Sequence, residues 1–132
     1  MEKPSLDHIG FVVENLDEAL RRFKALFGLD PDYVKEKKEM GLKSAGLSFA
    51  NLDVELIEFT DPDGEIAGLL GARPGINHLG VKVADIELAQ PRLAEAGMSL
   101  APGFPRAGSR GQIAFNSPAG AAGLLFELLQ ID

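Results

Sequence analysis

Cysteine is absent from the 132 residues. That excludes disulfides, thiolate metal sites and cysteine nucleophiles, and leaves His, Asp, Glu, Ser and Tyr to carry any chemistry. Positive charge is in short supply: 13 Lys and Arg stand against 20 Asp and Glu, a formal net charge of −7. A nucleic-acid backbone would be repelled over most of such a surface. No apolar run reaches the roughly 20 residues of a membrane span, and the opening MEKPSLDH lacks the apolar centre of a signal peptide. A cytoplasmic protein with no membrane or nucleic-acid partner is expected. A glycine-rich phosphate loop of the Walker type is also missing. What remains is a chain of 45% hydrophobic residues, ordinary for one soluble domain able to bury a core.

Histidine is scarce too, and its placement is informative. LDHIGFVVENLDEALRRFKALFG, from Leu6, resembles INHLGVKVADIELAQPRLAEAG, from Ile76. His8 matches His78, Gly10 matches Gly80, Val13 matches Val83, Leu16 matches Ile86 and Ala19 matches Ala89, all at one offset. Each copy opens as a strand and turns into an amphipathic helix. In the first, Leu16, Ala19, Leu20, Phe23, Leu26 and Phe27 recur at helical spacing, with Asn15 and Glu18 as its N-terminal cap. The second helix, from about Asp85 to Ala96, contains Pro91, whose missing N–H and ring clash predict a kinked or shortened helix.

The correspondence continues downstream. Leu47-Ser48-Phe49 matches Ile113-Ala114-Phe115, and Val54-Glu55-Leu56 matches Phe126-Glu127-Leu128. A turn at Asn51 to Asp53 joins two strands in the first copy, and NSPAGAAG makes a longer connection in the second. DPDYVKEKKEM and MSLAPGFPRA each supply one more strand. The expected order is strand, helix, three strands, a linker at DPDGEIAGLLGARPG with a short helix, and the same order again. This places module one at about 5–60, the linker at about 61–75 and module two at about 76–131, within one domain spanning 1–132.

Glu127, in the strand GLLFELLQ, raises a physical question. A carboxylate stripped of water costs several kcal/mol unless a cation or donors replace its hydration. It lies on a wet face, pairs with an arginine, or binds a metal. Repetition favours the metal, since both histidines of the chain occupy one repeat position and each has a matched glutamate, Glu55 or Glu127. Alternation puts His8 on one face with Gly10 and His78 with Gly80, glycines that leave room above the sheet. Two imidazoles and two carboxylates suit a divalent Zn, Ni, Co, Fe or Mn ion. Glu58, on the opposite face from Glu55, competes with it for the first carboxylate position.

The paired modules, with LDHIGFVV, VELIEF, INHLGVKV and LLFELL in order, resemble the vicinal oxygen chelate superfamily, which holds glyoxalase I, methylmalonyl-CoA epimerase, extradiol dioxygenases and fosfomycin-resistance enzymes. The resemblance implies an α+β, glyoxalase-like fold: two βαβββ modules related by pseudo-twofold symmetry, forming a cup-like mixed sheet around a divalent metal. His8, Glu55, His78 and Glu127 match the ligand positions. Three local features are most similar to the epimerases: DPDGEIAGLL between the modules, GINHLGVKVADI with Asn77 ahead of the ligand position, and PAGAAGLLFELLQ with its longer connection before Glu127. Ala119 stands where epimerases carry Lys, and Lys43-Ser44 falls where one epimerase type has a second glutamate.

The resemblance implies metal-dependent epimerisation of a methylmalonyl-CoA-like 2-acyl thioester, with Glu127 and Glu55 as the catalytic carboxylates. The alternatives it leaves are a glyoxalase I-type isomerase acting on a hemithioacetal and a metal-free protein that sequesters a small molecule or antibiotic. Arg73, Arg106 and Arg110 are candidates for contacts to CoA phosphates, and a homodimer is expected by resemblance.

Overall fold

The computed structural model describes residues 3–131. It forms two compact units, one of His8–Asn77 and the other of the chain from His78 onward together with the segment up to Asp7. In the first, strand β1 (Leu6–Val12) is followed by helix α1 (Leu16–Phe27), β2 (Tyr33–Lys37), β3 (Leu42–Ser48), β4 (Asp53–Phe59) and the short helix α2 (Glu65–Leu70). The strand order is β2-β3-β4-β1. The hairpin pairs are antiparallel, whereas β1 lies parallel to β4 with Gly10 beside Glu55.

Helix α1 begins where the sequence signals it: the Asn15 side chain accepts from Glu18 N at 2.9 Å, satisfying one of the N–H groups that a helix start leaves over. A second acceptor comes from the sheet, because Glu58 Oε1 accepts from Leu16 N at 2.7 Å. Leu16, Ala45, Leu47 and Leu56 form the buried core beneath the helix, with Ala19, Leu20 and Phe23 packed against it. The apolar stripe stops there. Leu26 and Phe27, expected to continue it, are exposed, and the Phe27 ring meets Phe49, in the loop after β3, at 5.8 Å. On the other face of the same strands, Val12, Met40, Leu42 and Ile57 make a second apolar cluster.

The second unit repeats the order with β5 (Gly75–Lys82), α3 (Ala89–Glu95), β6 (Arg106–Ala107), β7 (Gly111–Phe115) and β8 (Phe126–Ile131). Its strand order, β5-β8-β7-β6, mirrors that of the first unit, and β5 runs parallel to β8 with Gly80 beside Glu127. Pro91 shortens the helix as expected, and its position explains how. A 3-10 turn at Ile86–Leu88 precedes α3, which starts only at Ala89. Pro91 therefore sits in the first turn of α3, where N–H groups have no helical partner to lose. Gln130 Oε1 accepts from Ile86 N at 2.8 Å, the counterpart of Glu58 on Leu16.

MSLAPGFPRA departs from the expected strand. It contributes one isolated bridge, Leu100 with Asn116, and the two residues of β6. Pro102 and Pro105 lack the N–H groups that a continuous ladder needs. The longer connection before β8 is held by Asn116, which is fully buried. Its amide donates to Ser117 O at 2.9 Å and Leu124 O at 3.1 Å, and its carbonyl accepts from Phe126 N at 2.7 Å. Replacing Asn116 with Ala removes all three bonds from a partly buried connection. The expected loss is about 2–4 kcal/mol, read as a lower midpoint in urea denaturation.

Candidate metal centre

Strand register puts one histidine and one glutamate on a common face in each unit. In the first, His8 and Gly10 alternate onto one side of β1, and the lateral pairing of Gly10 with Glu55 brings that carboxylate to the same side. His8 Nε2 and Glu55 Oε1 lie 4.0 Å apart. In the second, His78 and Gly80 share a side of β5 and Gly80 pairs with Glu127. His78 Nε2 and Glu127 Oε1 lie 3.1 Å apart. Donor atoms on one ion with bonds of about 2.0–2.2 Å are separated by roughly 3–4.3 Å. Both pairs fall in that range, and imidazole with carboxylate is a chemically suitable donor set for a borderline divalent cation. Each unit thus offers one imidazole and one carboxylate as candidate donors for a metal ion.

The surroundings of the two carboxylates differ. Glu55 is half-buried and accepts a hydrogen bond from the Tyr33 hydroxyl at 3.1 Å. Glu127 is buried, and the residue opposite it on β7 is Phe115. The Phe115 ring meets the His78 ring edge-on at 5.2 Å and the Phe104 ring at 5.3 Å. Packing of this kind shields the Glu127 and His78 side chains from bulk water, which strengthens electrostatic interactions between them.

Glu58, the competing carboxylate, lies on the opposite face and is engaged at the start of α1. Of Lys43 and Ser44, alternation puts Ser44 on the Glu55 face and Lys43 on the α1 face, where it pairs laterally with Glu58. Ser44 is buried, and its hydroxyl has no hydrogen-bond partner among the described residues. The candidate phosphate-binding arginines have different neighbours. Arg110 donates from both terminal nitrogens to the buried Asp7 carboxylate, Arg106 lies over the Phe104 ring at 5.9 Å, and Arg73 lines a surface depression with Pro74 and Asn77. The Tyr33 contact to Glu55 has no signal in the sequence, where DPDYVKEKKEM reads as a strand and nothing more. No helix among the described residues is long and apolar enough to cross a membrane.

Comparison with known proteins gives this geometry a context. Residues 7–115 match the model of a family described as the Glyoxalase/Bleomycin resistance protein/Dioxygenase superfamily. The ethylmalonyl-CoA/methylmalonyl-CoA epimerase of Cereibacter sphaeroides is 30% identical over 96% of this chain and 97% of its own. The mitochondrial methylmalonyl-CoA epimerase of Dictyostelium discoideum is 27% identical over 93% of this chain and 76% of its own. Among solved structures, methylmalonyl-CoA epimerase from Mycobacterium tuberculosis superposes with a TM-score of 0.81 at 29% identity, covering 96% of this chain and 87% of that one. The α+β arrangement of two βαβββ modules is the glyoxalase-like fold of these neighbours.

Proposed function

Because the chain belongs to the Glyoxalase/Bleomycin resistance protein/Dioxygenase superfamily, we propose that it is a divalent-metal-dependent epimerase of a methylmalonyl-CoA-like 2-acyl thioester. The observation that carries this reading is the repeated His/Glu pair in a chain similar to a named epimerase over nearly its whole length. His8, Glu55, His78 and Glu127 are the proposed ligands, and the ion is Co, Ni, Zn, Mn or Fe in its divalent state. Bound there, it would favour the negative charge that grows on substrate oxygens as the α C–H bond breaks.

The chain's own groups supply the proton transfers. A Glu127 carboxylate oxygen takes the α-proton while the electron pair of the C–H bond delocalises towards the thioester oxygen. Glu55, which enters the step protonated, gives its proton to the opposite face of the same carbon, which inverts it and leaves Glu55 as the carboxylate. Burial beside Phe115 limits bulk water around Glu127 during the transfer, and the abstracted proton exchanges with solvent before the next turnover. In the reverse direction the two glutamates exchange roles.

Incubation of one methylmalonyl-CoA enantiomer in deuterated water tests the reading. The expected result is deuterium at the α-carbon together with both enantiomers. A parallel arm offers the hemithioacetal of a thiol and a 2-oxoaldehyde, the substrate class of a glyoxalase I-type isomerase. Turnover in that arm, with no exchange in the first, overturns the epimerase reading. The names of the similar proteins favour the thioester.

A further inference from the structure

We propose that Tyr33 is a positioning residue that latches Glu55 as a single-oxygen metal ligand, with Gly46 as the clearance that lets it reach. The inference rests on Glu55 being a ligand, as proposed above.

Strand register sets up the latch. Tyr33 pairs with Gly46 across β2 and β3, and Gly46 pairs with Glu55 across β3 and β4. Residues directly opposite one another share a face of the sheet, so Tyr33, Gly46 and Glu55 form one row on the side that holds His8. The phenol crosses the middle strand above Gly46. A Cβ built at Gly46 would lie 2.2 Å from Tyr33 Cε2 and 2.9 Å from both Cδ2 and Cζ. No side chain fits there with the ring in place. Gly46 itself has an unexceptional backbone, since it is not among the positive-φ glycines; its lack of a side chain is therefore needed for the ring and not for a turn.

The ring's hydroxyl donates to Glu55 Oε2 at 3.1 Å, while Oε1 is the oxygen 4.0 Å from His8 Nε2. One oxygen of the carboxylate is thus held by the phenol and the other faces the imidazole. Lys35 Nζ lies 5.2 Å from the centre of the Tyr33 ring, a cation–π contact that helps fix the ring's position. The matched row of the second unit is built differently, with Phe115 opposite Glu127. The Tyr-Gly-Glu row therefore belongs to one module and is not a requirement of the repeated fold.

A ligand carboxylate orients its lone pairs through whatever holds its second oxygen, and loss of such a partner commonly costs 10- to 100-fold in metal affinity. The experiment is a titration of the metal-stripped full-length protein with zinc or cobalt(II), in competition with a chelating indicator. Tyr33→Phe is expected to weaken binding about 10-fold or more. Gly46→Ala, which drives the ring off its seat, is expected to do the same. Glu55→Ala weakens binding further, and adding Tyr33→Phe to it changes affinity by less than about twofold.

A purely structural tyrosine gives a different pattern: Tyr33→Phe then costs the same affinity with or without Glu55→Ala, and lowers the melting temperature in both cases. Parent-like affinity of Tyr33→Phe alongside weakened Glu55→Ala overturns the latch and leaves the metal centre standing. Parent-like affinity of Glu55→Ala overturns both.

Discussion

Glu127→Gln is expected to lower the rate of α-proton exchange by about 10²- to 10⁴-fold, the contribution of a positioned general base. Gln has the size of Glu and keeps one oxygen able to face a cation, so the substitution removes the proton acceptor while disturbing the packing around Phe115 little. The measurement is deuterium incorporation at the α-carbon, at metal and substrate concentrations that saturate each variant. Glu55→Gln, in the same assay, is expected to separate exchange from inversion. With Glu127 intact, one enantiomer still exchanges its α-proton, but the opposite face receives none, so epimerisation falls well behind exchange. If Glu55→Gln epimerises at the parent rate, Glu55 is no base. If Glu127→Gln exchanges at the parent rate, the proton acceptor lies elsewhere.

Much of this site is legible along the chain because duplication wrote it twice. His8 with His78, Gly10 with Gly80 and Glu55 with Glu127 recur with their neighbours, and the structure puts each glycine beside its glutamate. The same repetition carries a second signal, which becomes readable only with the structure in hand. Glu58 and Gln130 each stand three residues beyond the matched glutamate, and each receives the first N–H of its module's first helical segment, from Leu16 and Ile86. The helical segments concerned are those that follow the first strand of each module, and polar side chains at matched positions on the helix-facing side of both last strands are the mark.

Other features depend on pairing that a linear pattern does not carry. The row from Tyr33 through Gly46 to Glu55 requires the register of two successive hairpins, of which the first is turned by a 3-10 segment at Lys38–Met40. Alternation predicts which side a residue faces but not which residue lies opposite. The Asp7 to Arg110 pair joins positions 103 apart, beyond the reach of any periodicity argument. Leu26 and Phe27 illustrate the converse: helical spacing groups them with the other apolar residues of α1, yet they are exposed and the part of the helix packed on the core ends at Phe23.

Stripping divalent metal is expected to affect both catalysis and stability, and the two effects have one origin. A cation that stabilises negative charge on a substrate oxygen contributes several kcal/mol to the barrier, and each 1.36 kcal/mol is tenfold in rate. Chelation should therefore lower epimerisation by roughly 10³-fold or more, with recovery on adding back Co, Ni, Zn, Mn or Fe. The same ion would bind the folded chain and not the unfolded one, which has no preformed site, so at free metal about 1,000 times Kd it would add about 4 kcal/mol of stability. For a chain of this size that raises the melting temperature by on the order of 10 °C. His78→Ala separates this linkage from a general salt effect. It deletes the imidazole 3.1 Å from Glu127, so the variant should lose most of the metal-dependent rise in melting temperature as well as the activity. A parent-like rise in His78→Ala would mean that the ion binds elsewhere, and undiminished epimerisation after chelation would mean that the four side chains do their work without one.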